Sequence, residues 1–149
     1  MTNSQYCTFS LDGLFFGVEV HRVQEVIRYQ ELTRVPLASP VIRGLINLRG
    51  QIVTAIDLRR RLGLKDRPAD QLPMNVVVRS DEGVVSLLVD EIGDVQEVAA
   101  DLFEPTPETV SQAARYLVRG AYKLENRLLM VLDVERASQV CDEPALELA

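Results

Sequence analysis

The sequence predicts a mainly β fold made of small barrels or a sandwich, with a few short helices. Three observations lead there: apolar runs are short and extended, Asp and Gly turns separate them, and the chain repeats itself internally.

Gln5–Leu11 alternates Tyr6, Thr8 and Ser10 with Cys7, Phe9 and Leu11, and Leu14–Val20 resumes an extended run. Asp12-Gly13 between them suits the positive φ of a two-residue hairpin turn. Further strands are expected at Leu45–Asn47, Gln51–Ile56, Met74–Arg79, Val84–Val89, Gly120–Leu124 and Arg127–Leu132, with Asp81-Glu82-Gly83 and Glu125-Asn126 as turns. Val20, Val23 and Val26 recur at spacing three, which reads as a helical turn; Val89, Ile92 and Val95 repeat that spacing. Asp57 before Leu58–Leu62 and Gly63 reads as an N-cap, a short helix and its terminal glycine. Asp133 before Val134–Val140 reads likewise, and Glu108–Tyr116 as another brief helix. Lys65–Pro73, polar with two prolines, reads as a surface linker.

Two ungapped registers expose the repeat. Ile42–Arg60 aligns with Val118–Arg136, matching Arg43-Gly44 to Arg119-Gly120, Asp57 to Asp133 and Arg60 to Arg136. Val20–Val26 aligns with Val89–Val95, and the same register sets Pro36 on Pro105. Each half spans roughly 60–70 residues, a marginal size for a separate domain. Packing the halves together would stabilise both and leave a crevice between them, a usual place for a binding site.

Composition narrows the function. Of 149 residues, 47% are hydrophobic and 26% charged, which describes one globular unit that needs neither disulfides nor metal for its core. A net charge of -6 argues against nucleic-acid binding, and Arg59-Arg60-Arg61 reads as a solvated helix face. Cys7 and Cys141 lie far apart, no apolar leader opens the chain and no apolar run could span a membrane, so a cytoplasmic protein with reduced thiols is expected. His21, the single histidine, lacks an obvious acid–base partner. Asp90, Glu91 and Asp94 do not make a calcium loop and read as acidic residues on a helical turn. Phosphate-loop, dinucleotide and nucleophile-elbow motifs are missing, so no enzyme activity and no cofactor are expected.

The stretch Val41-Ile42-Arg43-Gly44-Leu45-Ile46-Asn47-Leu48-Arg49-Gly50-Gln51-Ile52-Val53, continued by Asp57-Leu58, resembles the signature of the CheW family of chemotaxis coupling proteins. Val23-Gln24-Glu25-Val26-Ile27, Val35-Pro36 and Leu88-Val89-Asp90-Glu91-Ile92-Gly93-Asp94-Val95 fit the same pattern. The resemblance implies two five-stranded, SH3-like β-barrels around a common core. Residues 1–149 would form a single CheW-like domain, ordered over about 5–140, of two related barrel subdomains with interleaved boundaries and an acidic tail at 141–149. It also implies an adaptor in the cytoplasm, recruited to receptor arrays. Its partners would be the cytoplasmic hairpin tip of a methyl-accepting chemoreceptor and the regulatory domain of a CheA-type histidine kinase.

The resemblance assigns Cys7, Val20, Val23, Val26, Ile92 and Val95, with Val89 beside them, to a receptor-binding groove between the barrels. It makes Glu25, Gly44 and Arg49 candidates for the receptor or kinase interface. The plainer alternatives are core packing for the apolar stripe, a surface ion pair for Glu25 and Arg49, and backbone geometry alone for Gly44. Two other functions stay open: an adaptor of another chemosensory pathway, such as twitching motility or development, and a small-ligand or enzymatic domain using the crevice.

Overall fold

A computed structural model describes residues 3–139 except Leu37, Glu82 and Thr109. The proposed tail at 141–149, Cys141 and the end of the last helix at Val140 lie outside the described residues. Among the described residues, ten strands run in the order β1 Asn3–Leu11, β2 Leu14–Glu19, β3 Val23–Ile27, β4 Ile42–Leu48, β5 Gln51–Asp57, β6 Met74–Ser80, β7 Gly83–Val89, β8 Glu91–Ala99, β9 Val118–Lys123 and β10 Leu128–Leu132. Three short helices are α1 Leu58–Arg61, α2 Gln112–Leu117 and α3 Val134–Ser138, and a 3-10 turn covers Val20–Arg22.

Local chemistry explains most of these boundaries. Asp12 and Gly13 take φ 49° and 81°, the two positive values of the tight β1–β2 turn. The Asp57 and Asp133 carboxylates accept the backbone N–H groups of Arg60 and Arg136 and so cap α1 and α3. Ser111 caps α2 through Ala114 N–H. That helix starts later than Glu108, because its cap is the serine and not the acidic residue.

The strands form two five-stranded sheets with one plan, β8-β1-β2-β10-β9 and β3-β6-β7-β5-β4. Neighbours are antiparallel apart from β2 with β10 and β5 with β7. The fold is thus mainly β, in two SH3-like barrels. Each sheet draws on both halves of the sequence: the hairpin β1-β2 joins β8–β10, and β6-β7 joins β3–β5. The chain therefore crosses between barrels twice, once through Val20–Arg22 and once at Asp90.

The repeat extends to individual hydrogen bonds. Asp57 N–H donates to Val41 O at 2.7 Å, and Asp133 N–H to Leu117 O at 2.7 Å. Arg60 Nη1 donates to Pro40 O at 2.8 Å, and Arg136 Nη1 to Tyr116 O at 3.0 Å. A Cβ on Gly44 would lie 2.6 Å from Thr33 O, and one on Gly120 would lie 2.6 Å from Glu104 O. Those carbonyls belong to matching backbone bridges, Thr33 with Leu45 and Glu104 with Ala121.

One apolar core joins the barrels. Phe9, Leu11, Phe16 and Val18 of the first sheet pack with Ile56, Val76, Val78, Leu87 and Val89 of the second. Leu58, Leu62, Leu117 and Val134 from the helices cover it. Val77 and Leu88 point the other way, into the second barrel with Ile46, Val53 and Ala55. Strands β6 and β7 are thus buried on both faces, which is why they read as continuous apolar runs. Each side chain buried fully in this way stabilises the fold by roughly 1.5–3 kcal/mol.

Three sequence expectations are corrected. Arg59 is not on a solvated face: its side chain is 5% exposed and donates to Asp90 through Nε at 2.9 Å and Nη2 at 2.5 Å. Arg67, in the segment read as a surface linker, is also buried and donates from Nε to Asp90 at 2.9 Å. Asp90 further accepts Asp12 N–H at 2.8 Å, so it binds four elements together and is not a helical-turn acid. A buried cation needs such a partner, and sequence proximity could not supply it.

Candidate partner-binding groove

Spacing three in Val20–Val26 and Val89–Val95 reflects bulged strands and not helical turns; only Val20 lies in a 3-10 turn. Val23 pairs with Val78 and Val26 with Val76, with a register shift between Val23 and Glu25. Ile92 pairs with Phe9 and Val95 with Cys7, with the matching shift between Cys7 and Phe9. In a regular strand, residues three apart face opposite sides. One extra residue on β3 and on β8 returns them to one side. Thr8 Oγ1 donates to Asp94 O at 2.5 Å where β8 bulges, and Gly93 leaves room for that hydroxyl.

The apolar candidates fall into two sets. Cys7, Ile92 and Val95 are neighbours on β1 and β8 of the first barrel. Val20, Val23 and Val26 follow one another along the crossover and β3 of the second. Val23 and Ile92 both pack against the common core, so each is half core and half surface. Val26 and Val95 are 38% and 56% exposed, beyond what core packing needs. Val89 ends β7 fully buried in the core and offers no surface, which removes it from the set. Cys7 is half-buried, and burial pushes its thiol pKa up, which suits packing better than nucleophilic chemistry.

Arg49 occupies the first turn position between β4 and β5, with φ 53° before Gly50 at 89°. The Asn47 side-chain carbonyl accepts Gly50 N–H at 2.9 Å and fixes this turn. The guanidinium of Arg49 is thereby aimed at Glu25 on β3, to which it donates at 2.8 and 2.9 Å. Arg49 is 79% exposed and Glu25 mostly covered, so the pair sits at the rim with the cation outward. Gly44 differs from both. It is buried beneath the Thr33–Leu45 bridge at φ 154°, so it shapes the backbone and presents no contact surface.

Two arrangements escaped the sequence. One is the Asp90 cluster with Arg59, Arg67 and Asp12. The other is the pair Arg22–Glu135 at 2.6 Å, whose carboxylate also accepts Asp81 N–H. Among the described residues, no group of His, Cys, Asp and Glu could hold a metal ion, and no helix is long and apolar enough to cross a membrane.

Known proteins match this architecture throughout. The family model for a CheW-like domain matches residues 5–140. The chemotaxis protein CheW of Bacillus subtilis is 32% identical over 148 residues, covering 99% of this chain and 93% of that protein. Its Klebsiella aerogenes counterpart is 32% identical over 133 residues, covering 89% and 80%. Protein PilI of Pseudomonas aeruginosa is 25% identical, covering 82% and 68%. The crystal structure of the scaffolding protein TtCheW from Thermoanaerobacter tengcongensis superposes with a TM-score of 0.84 at 26% identity, covering 93% and 94%. With the family pattern met along nearly the whole chain and in both barrels, the protein belongs to the CheW-like family of signal-transduction adaptors.

Proposed function

We propose that the protein holds a chemoreceptor and a CheA-type histidine kinase in one cytoplasmic complex and performs no chemistry itself. The observation that carries this reading is an exposed valine on each of two bulged edge strands, Val26 on β3 and Val95 on β8. Val26 and Val95 are exposed and follow, three residues along the same strands, Val23 and Ile92, which are anchored in the core. An apolar helical hairpin tip laid across them gains by area burial. The polar Glu25–Arg49 rim gives orientation, and the forked Arg49 donors can be shared with a partner carbonyl or carboxylate. Holding two partners at once raises their effective concentration for each other, which is how a non-catalytic adaptor promotes kinase control. Reconstitution tests this: kinase activity is measured with receptor fragment, with and without the chain. Stimulation that requires the chain supports the reading; equal activity in its absence refutes it. Robust phosphate turnover by the purified chain would refute the non-catalytic part.

Similarity to PilI supports a second reading, an adaptor of another chemosensory pathway. The surface and mechanism would be the same and the partners different. Exchange of receptor fragments from the two pathways in the same assay separates them.

A further inference from the structure

The two β-hairpin tips are held in the same manner with the charges reversed. In the first barrel the tip N–H of Asp12 donates to Asp90, which lies on the β7–β8 crossover, and Arg59 of α1 pairs with that carboxylate. In the second barrel the tip N–H of Asp81 donates to Glu135 at 2.9 and 3.2 Å. Glu135 holds on α3 the repeat position that Arg59 holds on α1. Its ion-pair partner Arg22 lies on the β2–β3 crossover. Helix and crossover have exchanged signs, while each tip keeps a carboxylate acceptor.

The joints differ in burial. Arg59 and Asp90 side chains are 5% and 9% exposed, with Arg67 added to the same carboxylate. Arg22 and Glu135 are each 28% exposed. Arg22 also donates to Arg79 O at 3.2 Å, and Arg79 donates to His21 O at 3.3 Å. These bonds fix the turn Val20–Arg22 against the β6–β7 hairpin, directly ahead of Val23 and Val26.

We propose that Arg22 and Glu135 are positioning residues for the apolar groove: their partly exposed ion pair sets the placement of Val20, Val23 and Val26, and it is the looser of the two joints, the buried Asp90 joint being the fixed one. The proposal rests on the groove reading above. Ionic strength weakens solvated pairs more than buried ones, so the two joints respond differently to salt.

Hydrogen exchange on the free protein, together with binding of a soluble chemoreceptor hairpin fragment, tests it. Three chains are compared: the parent, Glu135→Gln, and the charge exchange Arg22→Glu with Glu135→Arg. The expected result for Glu135→Gln is about two- to fivefold faster exchange at Asp81 and β3, unchanged exchange at Asp12 and the start of β8, and weaker fragment binding by a similar factor. The charge exchange should restore both, because it recreates the order seen at Arg59 and Asp90. Equal change at both joints, no change at either, unaltered affinity beside faster exchange, or no rescue would each overturn the positioning role. Failure of the parent chain to bind the fragment would overturn the groove reading and the positioning role with it.

Discussion

Glu25 and Arg49 come from opposite edges of one five-stranded sheet, yet the Arg49 guanidinium forks onto the Glu25 carboxylate at 2.8 and 2.9 Å. The pair spans the gap between edge strand β3 and the β4–β5 turn, so it helps close the second barrel. At the repeat positions the first barrel carries Asp94 and Glu125, two acids that cannot pair as these do. The second barrel therefore carries a neutral ion pair with its cation outward, where the first carries two acids.

Arg49→Ala is expected to leave thermal stability within about 1 kcal/mol of the parent, since the pair is largely solvated. It should impair assembly of the receptor–adaptor–kinase complex. Arg49→Lys should recover little, because an ammonium cannot reproduce the fork. Melting curves and pairwise affinities check this; full complex assembly by both variants would show Arg49 to be an ordinary solvated residue.

Much of this was legible in the chain. The Asp12-Gly13 turn and the Asp57 and Asp133 caps each depend on neighbours in sequence, and each formed as read. Strands β3 and β8 did not, because one bulge residue converts a period of two into a spacing of three that imitates a helix. The crossed assignment of hairpins to barrels and the Arg59–Asp90 contact depend on partners distant in sequence, which no local pattern encodes.

Val95→Asp and Val26→Asp are the informative groove variants. Both side chains are partly solvated, so the fold should tolerate a carboxylate there, whereas Val23→Asp and Ile92→Asp also place one against the core. Loss of one buried valine contact, roughly 1.5–3 kcal/mol, weakens receptor-fragment binding about tenfold or more. Kinase-domain binding should change little. Isothermal titration with both partners checks the asymmetry.

Asp90→Asn should destabilise the chain by roughly 3–5 kcal/mol at neutral pH, because two guanidiniums lose their buried counter-charge. Burial raises the Asp90 pKa, but hydrogen bonds from Arg59, Asp12 N–H and Arg67, with the Arg67 charge, outweigh it and hold it below the usual carboxylate range. A depressed folded pKa contributes stability above the unfolded value and loses it as pH falls through the folded one. The gap between parent and Asp90→Asn should therefore be constant above the ordinary Asp range and shrink below it. Denaturant melts across acid pH read this directly.

Gly44→Ala should cost about 1–3 kcal/mol, since its Cβ would meet Thr33 O at 2.6 Å on a backbone of φ 154°. Gly120→Ala should behave alike, through Glu104 O and the Phe103 ring. Gly50→Ala, with open space around its Cβ, should lose only the cost of its positive φ. Comparing the three by chemical denaturation separates backbone shaping from contact.

The most direct measurement of the adaptor claim is a bridging pull-down. Receptor hairpin fragment is immobilised, and the kinase regulatory domain is added with and without the chain. The account predicts retention of the kinase domain only when the chain is present, with retention reduced by Val95→Asp. Retention independent of the chain, or a chain that holds one partner only by releasing the other, would contradict it.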